Sequence, residues 1–380
     1  MGFTVKERDR RFEAVRGAMR KEGIGALLLF GSTGVGGQWN GNFTYLSNYS
    51  LIFATGLVVF PLEGSPAVFL PGENQWIDAM RAGWIGDTRL SKKPIEDACR
   101  FLKGHKPAAG KVGVSSLDAL PALALAYLEE QFPKESFVEA ASLVVSARNR
   151  KSAEAGEPAR AGATAADAGY ARGLEILRPG LTERGLFAEM ERVMTSAGAG
   201  AYFDMLGAGR GTGDEDAFRG FVIPPTSRAF QKGDLALLEI TPRVDGYWNQ
   251  IVRLVSFGKP PDEAGRAHAA CLEAKHAALR HMRPGEDLAD MARAAQKVLE
   301  GHGYAMKDVG SVHTTGLDLS ELLIMTSTEM RAEEGMLITL HPMIATGEWR
   351  QLFIGETYVI TADGYERLNH CPEEIAVIGG

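Results

Sequence analysis

The sequence predicts an α/β protein made of two domains, and two observations support that fold class. In the first part of the chain, short apolar runs bounded by Gly or Pro alternate with helical patterns, as strands and helices do in α/β domains. In the second part, an Arg-Pro-Gly turn between two helical patterns occurs twice, at 178–180 and at 283–285. This repetition indicates a duplicated unit, and a chain of 380 residues is long enough for both domains.

The first domain is predicted to open with an amphipathic helix over residues 5–22, where apolar residues recur at roughly helical spacing among charges. Strands are predicted at 26–30, 56–60, 66–70 and 111–114, and helices near 93–104 and 118–131. The polar and aromatic segment 42–49 is predicted to be a loop. Because the composition shifts around 146–158, we divide the chain into residues 1–148 and residues 149–380.

The second domain contains a strong hairpin signal, Asp245-Gly246, between two strand-like segments. With the turn centred there, position 239 faces position 252, and alternation places Glu239 and Gln250 on one face as diagonal neighbours. A glutamate at the centre of a strand is costly to bury without a partner. A salt bridge from Glu239 to Arg253 and a role in a functional site are both open at this point.

A lone histidine, His313, stands in a stretch of glycines and hydroxyls that runs from Gly310 to Glu321. His341 follows the strand-like segment 336–339, and Glu356 lies in another such segment, 354–360. Side chains on successive strands can converge, so we expect His313, His341 and Glu356 to meet. Without such companions, a histidine of this kind is more often a hydrogen-bonded structural residue.

Composition and charge exclude several classes of protein. Hydrophobic residues make up 45% and charged residues 23%, as in ordinary globular proteins. The net charge of -7 and the lack of a basic run argue against nucleic-acid binding. Three widely spaced cysteines, Cys99, Cys271 and Cys371, suggest neither a disulfide framework nor a thiolate zinc site. With a charged start and no long apolar run, we expect a cytoplasmic protein without a membrane partner.

These residues resemble the pita-bread family of methionine aminopeptidases, Xaa-Pro dipeptidases, aminopeptidase P and creatinase. The resemblance covers nearly the whole chain. It implies an α/β creatinase-type N-terminal domain, which includes the family-like segment 42–46, followed by a duplicated pita-bread catalytic domain. Tyr45 in that segment becomes a candidate substrate-binding residue. Members with this two-domain form commonly pair, so the resemblance also implies a homodimer.

Family peptidases hold two metal ions with five ligands: Asp, Asp, His, Glu and Glu. By resemblance, these positions fall on Glu239, Gln250, His313, His341 and Glu356. Only two carboxylates remain in this set, and a neutral amide such as Gln250 bridges cations poorly. A pair of metal ions is therefore not expected. The family histidines expected near Val222 and at Ser320 are also missing, and Val252 replaces a creatinase glutamate.

Three possibilities remain open for the pocket. One divalent ion, zinc, iron or manganese, could be held by His313, His341, Glu356 and Gln250. Without any metal, as in creatinase, His313 and His341 would be acid and base groups oriented by Glu239 or Glu356. The third possibility is a binding protein without chemistry. In the loop from Asp204 to Arg219, Arg210 or Arg219 could pair a substrate carboxylate, and Gln250 could contact the substrate.

The leading expectation is a hydrolase of the creatinase and aminopeptidase P superfamily that is not a peptidase. It would be a hydrolase or lyase acting on a small polar substrate at a C–N bond, with catalytic residues His313, His341, Glu356 and Glu239. The alternatives are an Xaa-Pro dipeptidase-like metallopeptidase and a catalytically degraded binding protein.

Overall fold

The computed structural model describes residues 2–33, 40–51, 55–105, 111–117, 119–210, 223–345 and 351–379. The chain forms two compact units: the first comprises Met1–Glu154 with Leu317–Leu319, and the second comprises Ala155–Gly316 with Ser320–Gly380. The boundary lies after Glu154 rather than after residue 148. The change in composition that suggested the earlier position begins inside a helix of the first unit, Ala141–Asn149.

The first unit contains a six-stranded mixed sheet in the order β4-β3-β2-β1-β5-β6. Its helices are α1 (Val5–Glu22), α2 (Gly41–Ser47), α3 (Glu73–Ala82), α4 (Pro94–His105), α5 (Ala122–Gln131) and α6 (Ala141–Asn149). Its strands are β1 (Ile24–Ser32), β2 (Thr55–Pro61), β3 (Ala67–Leu70), β4 (Asp87–Leu90), β5 (Lys111–Ser115) and β6 (Phe137–Glu139). The predicted opening helix and the four predicted strands are confirmed.

The segment 42–49, predicted to be a loop, mostly forms helix α2, and every residue of α2 is buried. Its polar side chains misled the prediction because they find partners inside the unit. Asn42, for example, donates a hydrogen bond from Nδ2 to the Ser115 hydroxyl at 2.7 Å. A buried helix with internal polar partners has the composition of a loop but not its structure.

The second unit contains a nine-stranded sheet whose main path is β15-β14-β16-β19-β12-β9-β8. Its helices are α7 (Ala153–Ile176), α8 (Glu183–Ser196), α9 (Asp262–Leu279), α10 (Leu288–Gly301) and the short α11 (Asp308–Ser311). Strands of the first half are β7 (Ala199–Tyr202), β8 (Met205–Gly209), β9 (Leu235–Ile240), β10 (Pro242–Val244), β11 (Tyr247–Trp248) and β12 (Ile251–Phe257). Strands of the second half are β13 (Ala305–Met306), β14 (Val312–Thr314), β15 (Leu322–Leu323), β16 (Leu337–Leu340), β17 (Met343–Ala345), β18 (Leu352–Phe353), β19 (Gly355–Ile360), β20 (Tyr365–Arg367) and β21 (Ala376–Ile378).

The duplication predicted from the two Arg-Pro-Gly turns is present in the structure. Gly180 and Gly285 both have φ of 89°, in the left-handed region where a side chain is strained. The Gly180 amide donates to the Phe230 carbonyl at 2.8 Å, and the Gly285 amide donates to the Ala332 carbonyl at 2.9 Å. Each turn therefore leads one helix into the next with the same geometry in both halves.

The centre of the large sheet is where the two halves meet, because β12 of the first half pairs with β19 of the second. The Asp245-Gly246 turn has positive φ at both residues, as a tight hairpin turn requires. Glu239 faces Val252 across the β9–β12 pair, which is the predicted register. Among the described residues, no helix is long and apolar enough to cross a membrane.

Candidate functional site

Adjacent strands at the centre of the sheet bring Glu239, Gln250 and His313 to one face. His313 is directly opposite Thr339, and Thr339 is directly opposite Thr357. The backbone N–H of Gln250 donates to the Thr357 hydroxyl at 3.1 Å. Directly opposed residues of antiparallel strands point to the same side of a sheet. We call this side, with Glu239, Gln250, His313, Thr339 and Thr357, the site face.

A chain of hydrogen bonds connects three side chains on the site face. Gln250 donates from Nε2 to the Glu239 carboxyl, and its Oε1 lies 3.2 Å from His313 Nε2. The other ring nitrogen of His313, Nδ1, lies 3.1 Å from the carbonyl oxygen of Thr314. All three side chains are buried. A neutral imidazole donates from one nitrogen, so His313 donates either to the Thr314 carbonyl or to Gln250 Oε1.

His341 lies immediately after β16, with its ring centroid 5.3 Å from that of His313. It is 4% exposed, and neither of its ring nitrogens has a hydrogen-bond partner among the described residues. Burial, with His313 nearby, lowers the pKa of His341 to about 3, and burial lowers the pKa of His313 to about 4. Both imidazoles are therefore neutral near pH 7, and His341 can donate or accept a hydrogen bond.

The carboxyl group of Glu239 is the acidic group of this face. Burial raises its pKa to about 7; the hydrogen bond from Gln250 opposes that shift, and Asp204 adds to it. Burial also raises the pKa of Asp204 to about 7, although its carboxyl accepts a hydrogen bond from the Thr241 amide at 2.7 Å. Glu239 therefore exchanges a proton near neutral pH.

A small cavity of about 160 Å³ opens onto Glu239 and His341. Its other lining residues are mostly apolar: Phe203, Met205, Met343, Gln351 and Phe353. This is smaller than the roughly 300 Å³ at which pockets for drug-sized ligands begin. The cavity can hold one small apolar group next to a carboxyl and an imidazole.

Glu356, predicted from the sequence to be a catalytic group and a metal ligand, does not join His313 and His341. It is directly opposite Ile251 and Leu340, so its side chain leaves the sheet on the face opposite Thr357. There its carboxylate accepts from Arg253 at 2.7 Å and from Lys275 at 2.8 Å, and all three side chains are fully buried. Arg253 thus pairs with Glu356 and not with Glu239.

The residue of β19 that lies on the site face is Gly355, which the sequence reasoning missed. Gly355 is directly opposite Val252, and Val252 is directly opposite Glu239. A Cβ atom at this position would lie 1.9 Å from the carbonyl oxygen of Leu340 and 2.7 Å from the Cα of His341. The alternation of side chains along β19 was the available signal, because a shift of one residue changes the face.

The two other predicted substrate contacts are not part of this arrangement. Tyr45 belongs to the first unit, where it is 2% exposed and donates from its hydroxyl to the Ala147 carbonyl at 3.1 Å. The guanidinium of Arg11 lies 4.7 Å from the centre of its ring. Arg219 lies outside the described residues.

The site face does not fit the two metal ions that the resemblance implies. Of the five family positions, only Glu239 places a carboxyl there, since Glu356 points away and Gly355 has no side chain. Two divalent cations would bring four positive charges to a pocket with one titratable acid and two neutral imidazoles. In the described ranges, the one group of three histidine or acidic ligands that converges is His281, Glu286 and Asp290, none of which lies on the site face.

Comparison with known proteins gives two family-model matches. Residues 157–362 match the model of metallopeptidase family M24, and residues 11–150 match the creatinase/prolidase N-terminal domain. An Xaa-Pro dipeptidase of Lactobacillus helveticus is 23% identical over 88% of this chain and 92% of its own length. A probable dipeptidase, PepE, of Mycobacterium bovis is 25% identical over 84% and 85%.

Solved structures show the same fold over nearly the full length. The X-Pro aminopeptidase of Thermotoga maritima superposes with a TM-score of 0.81 at 19% identity, over 97% of this chain and 99% of that one. The prolidase of Pyrococcus horikoshii superposes with a TM-score of 0.80 at 22% identity, over 96% and 99%.

These relatives correct the leading functional expectation. The sequence analysis predicted a hydrolase or lyase that is not a peptidase and that acts at a C–N bond of a small polar substrate. This prediction was wrong. The curated relatives that match most of the chain are named Xaa-Pro dipeptidase and dipeptidase. They support the alternative that was predicted from the sequence, an Xaa-Pro dipeptidase-like peptidase.

Proposed function

The chain belongs to metallopeptidase family M24, and from that premise we propose that it hydrolyses short peptides, with Xaa-Pro dipeptides as its substrate class. The fold and the membership of this superfamily of hydrolases are as predicted from the sequence. The observation that carries the proposal is the small cavity, which places Glu239 and His341, at two family ligand positions, beside an apolar wall. Such a wall suits the ring of a proline or another compact side chain.

Glu239 is the group that we assign to proton transfer. Hydrolysis of a peptide bond needs a base that takes a proton from water and an acid that gives one to the leaving nitrogen. A group with a pKa near the working pH performs both steps well, and burial raises the pKa of Glu239 to about 7. Gln250 fixes the orientation of this carboxyl by its hydrogen bond.

His341 and His313 have different roles in this proposal. His341 has two ring nitrogens free of protein partners in the described structure, so it can hydrogen-bond the carbonyl oxygen of the substrate. In the tautomer that carries its proton on Nε2, His313 donates to Gln250 Oε1 and thereby positions the side-chain amide. The single zinc, iron or manganese ion considered from the sequence is not part of the proposal, because Glu356 points away from these residues.

Purified protein assayed against Xaa-Pro and Xaa-Ala dipeptides tests the proposal. Glu239→Gln keeps the shape of the side chain but removes the exchangeable proton, so we expect a loss of roughly 100-fold or more in kcat. Glu334→Gln, an exposed position, is the matched control and should behave as the parent protein. An unchanged kcat in Glu239→Gln would refute the role of Glu239. Dipeptide binding without any turnover would replace the proposal with a binding protein.

The same proposal includes a cytoplasmic homodimer. The three cysteines are free and buried, which suits a reducing compartment. Sedimentation equilibrium of the full chain should give twice the monomer mass of 41.0 kDa, and a monomer at all concentrations would remove this part of the proposal.

A further inference from the structure

The position that should supply the last carboxylate of the family metal centre is closed by backbone. A Cβ on Gly355 would lie 1.9 Å from the Leu340 carbonyl oxygen and 2.7 Å from both the Cα and the Cβ of His341. Backbone atoms cannot swing aside as the end of a flexible side chain can. A ligand at this position would therefore need β16 and β19 to separate.

The neighbouring carboxylate, Glu356, cannot replace the missing ligand. It is held on the opposite face by Arg253 and Lys275, and Arg367 lies 3.4 Å away. Turning Glu356 toward the site face would remove a carboxylate partner from Arg253 and from Lys275, of which Lys275 would keep Glu373. Breaking a buried ion pair in this way is strongly destabilising, because it leaves an uncompensated buried charge.

The other potential metal ligands of the site face are either hydrogen-bonded within the protein or too far apart to share one ion. The Gln250 side-chain amide donates to Glu239, and its oxygen is directed at His313 Nε2 at 3.2 Å. Within the described part of the chain, Glu239, His313 and His341 do not form a group of three ligand atoms within 4.8 Å of one another. A single ion would thus also lack a preformed cage.

We infer that this member of the family works without bound divalent ions, because its own strands block a side chain at position 355 and its hydrogen bonds engage the Gln250 amide. The pocket is a hydrogen-bonding site made of Glu239, Gln250 and two imidazoles. The inference does not depend on the substrate, since metal content and metal binding report it directly.

The test uses the full chain expressed in medium supplemented with zinc, manganese, iron and cobalt salts. Elemental analysis after gel filtration should find less than about 0.1 equivalent of any of these metals. Calorimetric titration of chelator-treated protein with Mn²⁺, Co²⁺ or Zn²⁺ should show no binding in the micromolar range, and the unfolding midpoint should not rise with any ion.

Two variants distinguish an ion bound in the pocket from an ion bound at the surface. An ion that binds the parent protein and is lost in His281→Ala sits at the surface group His281, Glu286 and Asp290, and leaves the inference standing. About one or more equivalents lost in His341→Ala but retained in His281→Ala would overturn it.

A double variant, Gln250→Asp with His341→Glu, restores two carboxylates to the site face. We expect it to gain affinity for Mn²⁺ or Co²⁺ over the parent protein. The peptidase proposal fails if no dipeptide is hydrolysed, whereas this inference fails if an ion binds at His341, so the two failures are distinguishable.

Discussion

At the scale of single residues, the buried carboxylate of Glu356 lies within salt-bridge distance of three cationic side chains, Arg253, Lys275 and Arg367. Burial alone would raise its pKa, but Arg253, Lys275 and Arg367 outweigh burial and hold the pKa at about 2. Tyr358 adds a hydrogen bond from its hydroxyl. Glu356 therefore balances the charge of a buried cluster, and this role explains its presence without any part in catalysis.

Glu356→Gln should destabilise the protein while leaving the site face unchanged. The variant removes the charge that compensates Arg253 and Lys275, and we expect a loss of about 3 kcal/mol or more in the free energy of unfolding. Urea denaturation measures this loss. Glu373→Gln, at a partly exposed carboxylate that also pairs with Lys275, is the control and should cost less. A Glu356→Gln variant that is as stable as the parent protein but has no turnover would show that Glu356 takes part in catalysis.

Glu239 should give the stability of the protein a characteristic dependence on pH. Its pKa is about 7 in the folded protein and about 4.5 when unfolded, so between these values the folded state binds more protons. Its contribution is therefore fully present below pH 4.5 and is lost as pH rises through 7. At about 1.4 kcal/mol per pKa unit, Glu239→Gln should be more stable than the parent by roughly 3 kcal/mol at pH 8.

Urea denaturation of both proteins from about pH 3.5 to 8 checks this prediction. The two free energies of unfolding should converge at the acid end, where Glu239 is protonated in both states. A difference in the free energy of unfolding that stays constant across this range would contradict the raised pKa of buried Glu239. The same titration predicts that kcat/KM for a dipeptide rises with pH through about 7, because the base form is the one that activates water.

At the scale of elements, the two turns that enter α8 and α10 are equivalent and should respond equally to substitution. Gly180 and Gly285 have the same positive φ, and a Cβ at either position meets no atom within 4 Å. The penalty for alanine is thus one of backbone conformation, about 1–2 kcal/mol each. Gly301→Ala, in the last turn of α10 and equally uncrowded, is the control and should be neutral or slightly stabilising. Unequal losses would contradict the duplication at this level.

The elements also show which features the sequence could predict. The Asp245-Gly246 turn fixed the register of β9 and β12, because a two-residue turn leaves no freedom in the pairing. No comparable turn marks β19, so Glu356 was placed on the wrong face by a shift of one residue. The buried helix α2 was missed because its polar side chains find internal partners that only the folded unit supplies.

At the scale of the whole molecule, the last residues of the chain complete the second unit. Arg253 donates from Nε to the Pro372 carbonyl at 2.7 Å, and Lys275 donates to the Glu373 carboxylate at 2.7 Å. His268 Nε2 lies 2.8 Å from the Glu373 carbonyl, and β21 pairs with β12. The buried cations that hold Glu356 are therefore themselves held by the C-terminal segment.

Deletion of residues 370–380 should loosen the second unit and leave the first unit unchanged. The deletion removes acceptors of Arg253 and Lys275 and the strand that covers β12, so buried cations lose partners that water must then replace. We expect amide hydrogen exchange to accelerate in α9 and β12, with protection of β1, β2 and β5 in the first unit retained. Deletion of residues 379–380 alone is the control and should change neither. Equal acceleration in both units would show that the C-terminal segment stabilises the chain by another route, and unchanged exchange in α9 would show that Glu356 alone suffices to hold its two cations.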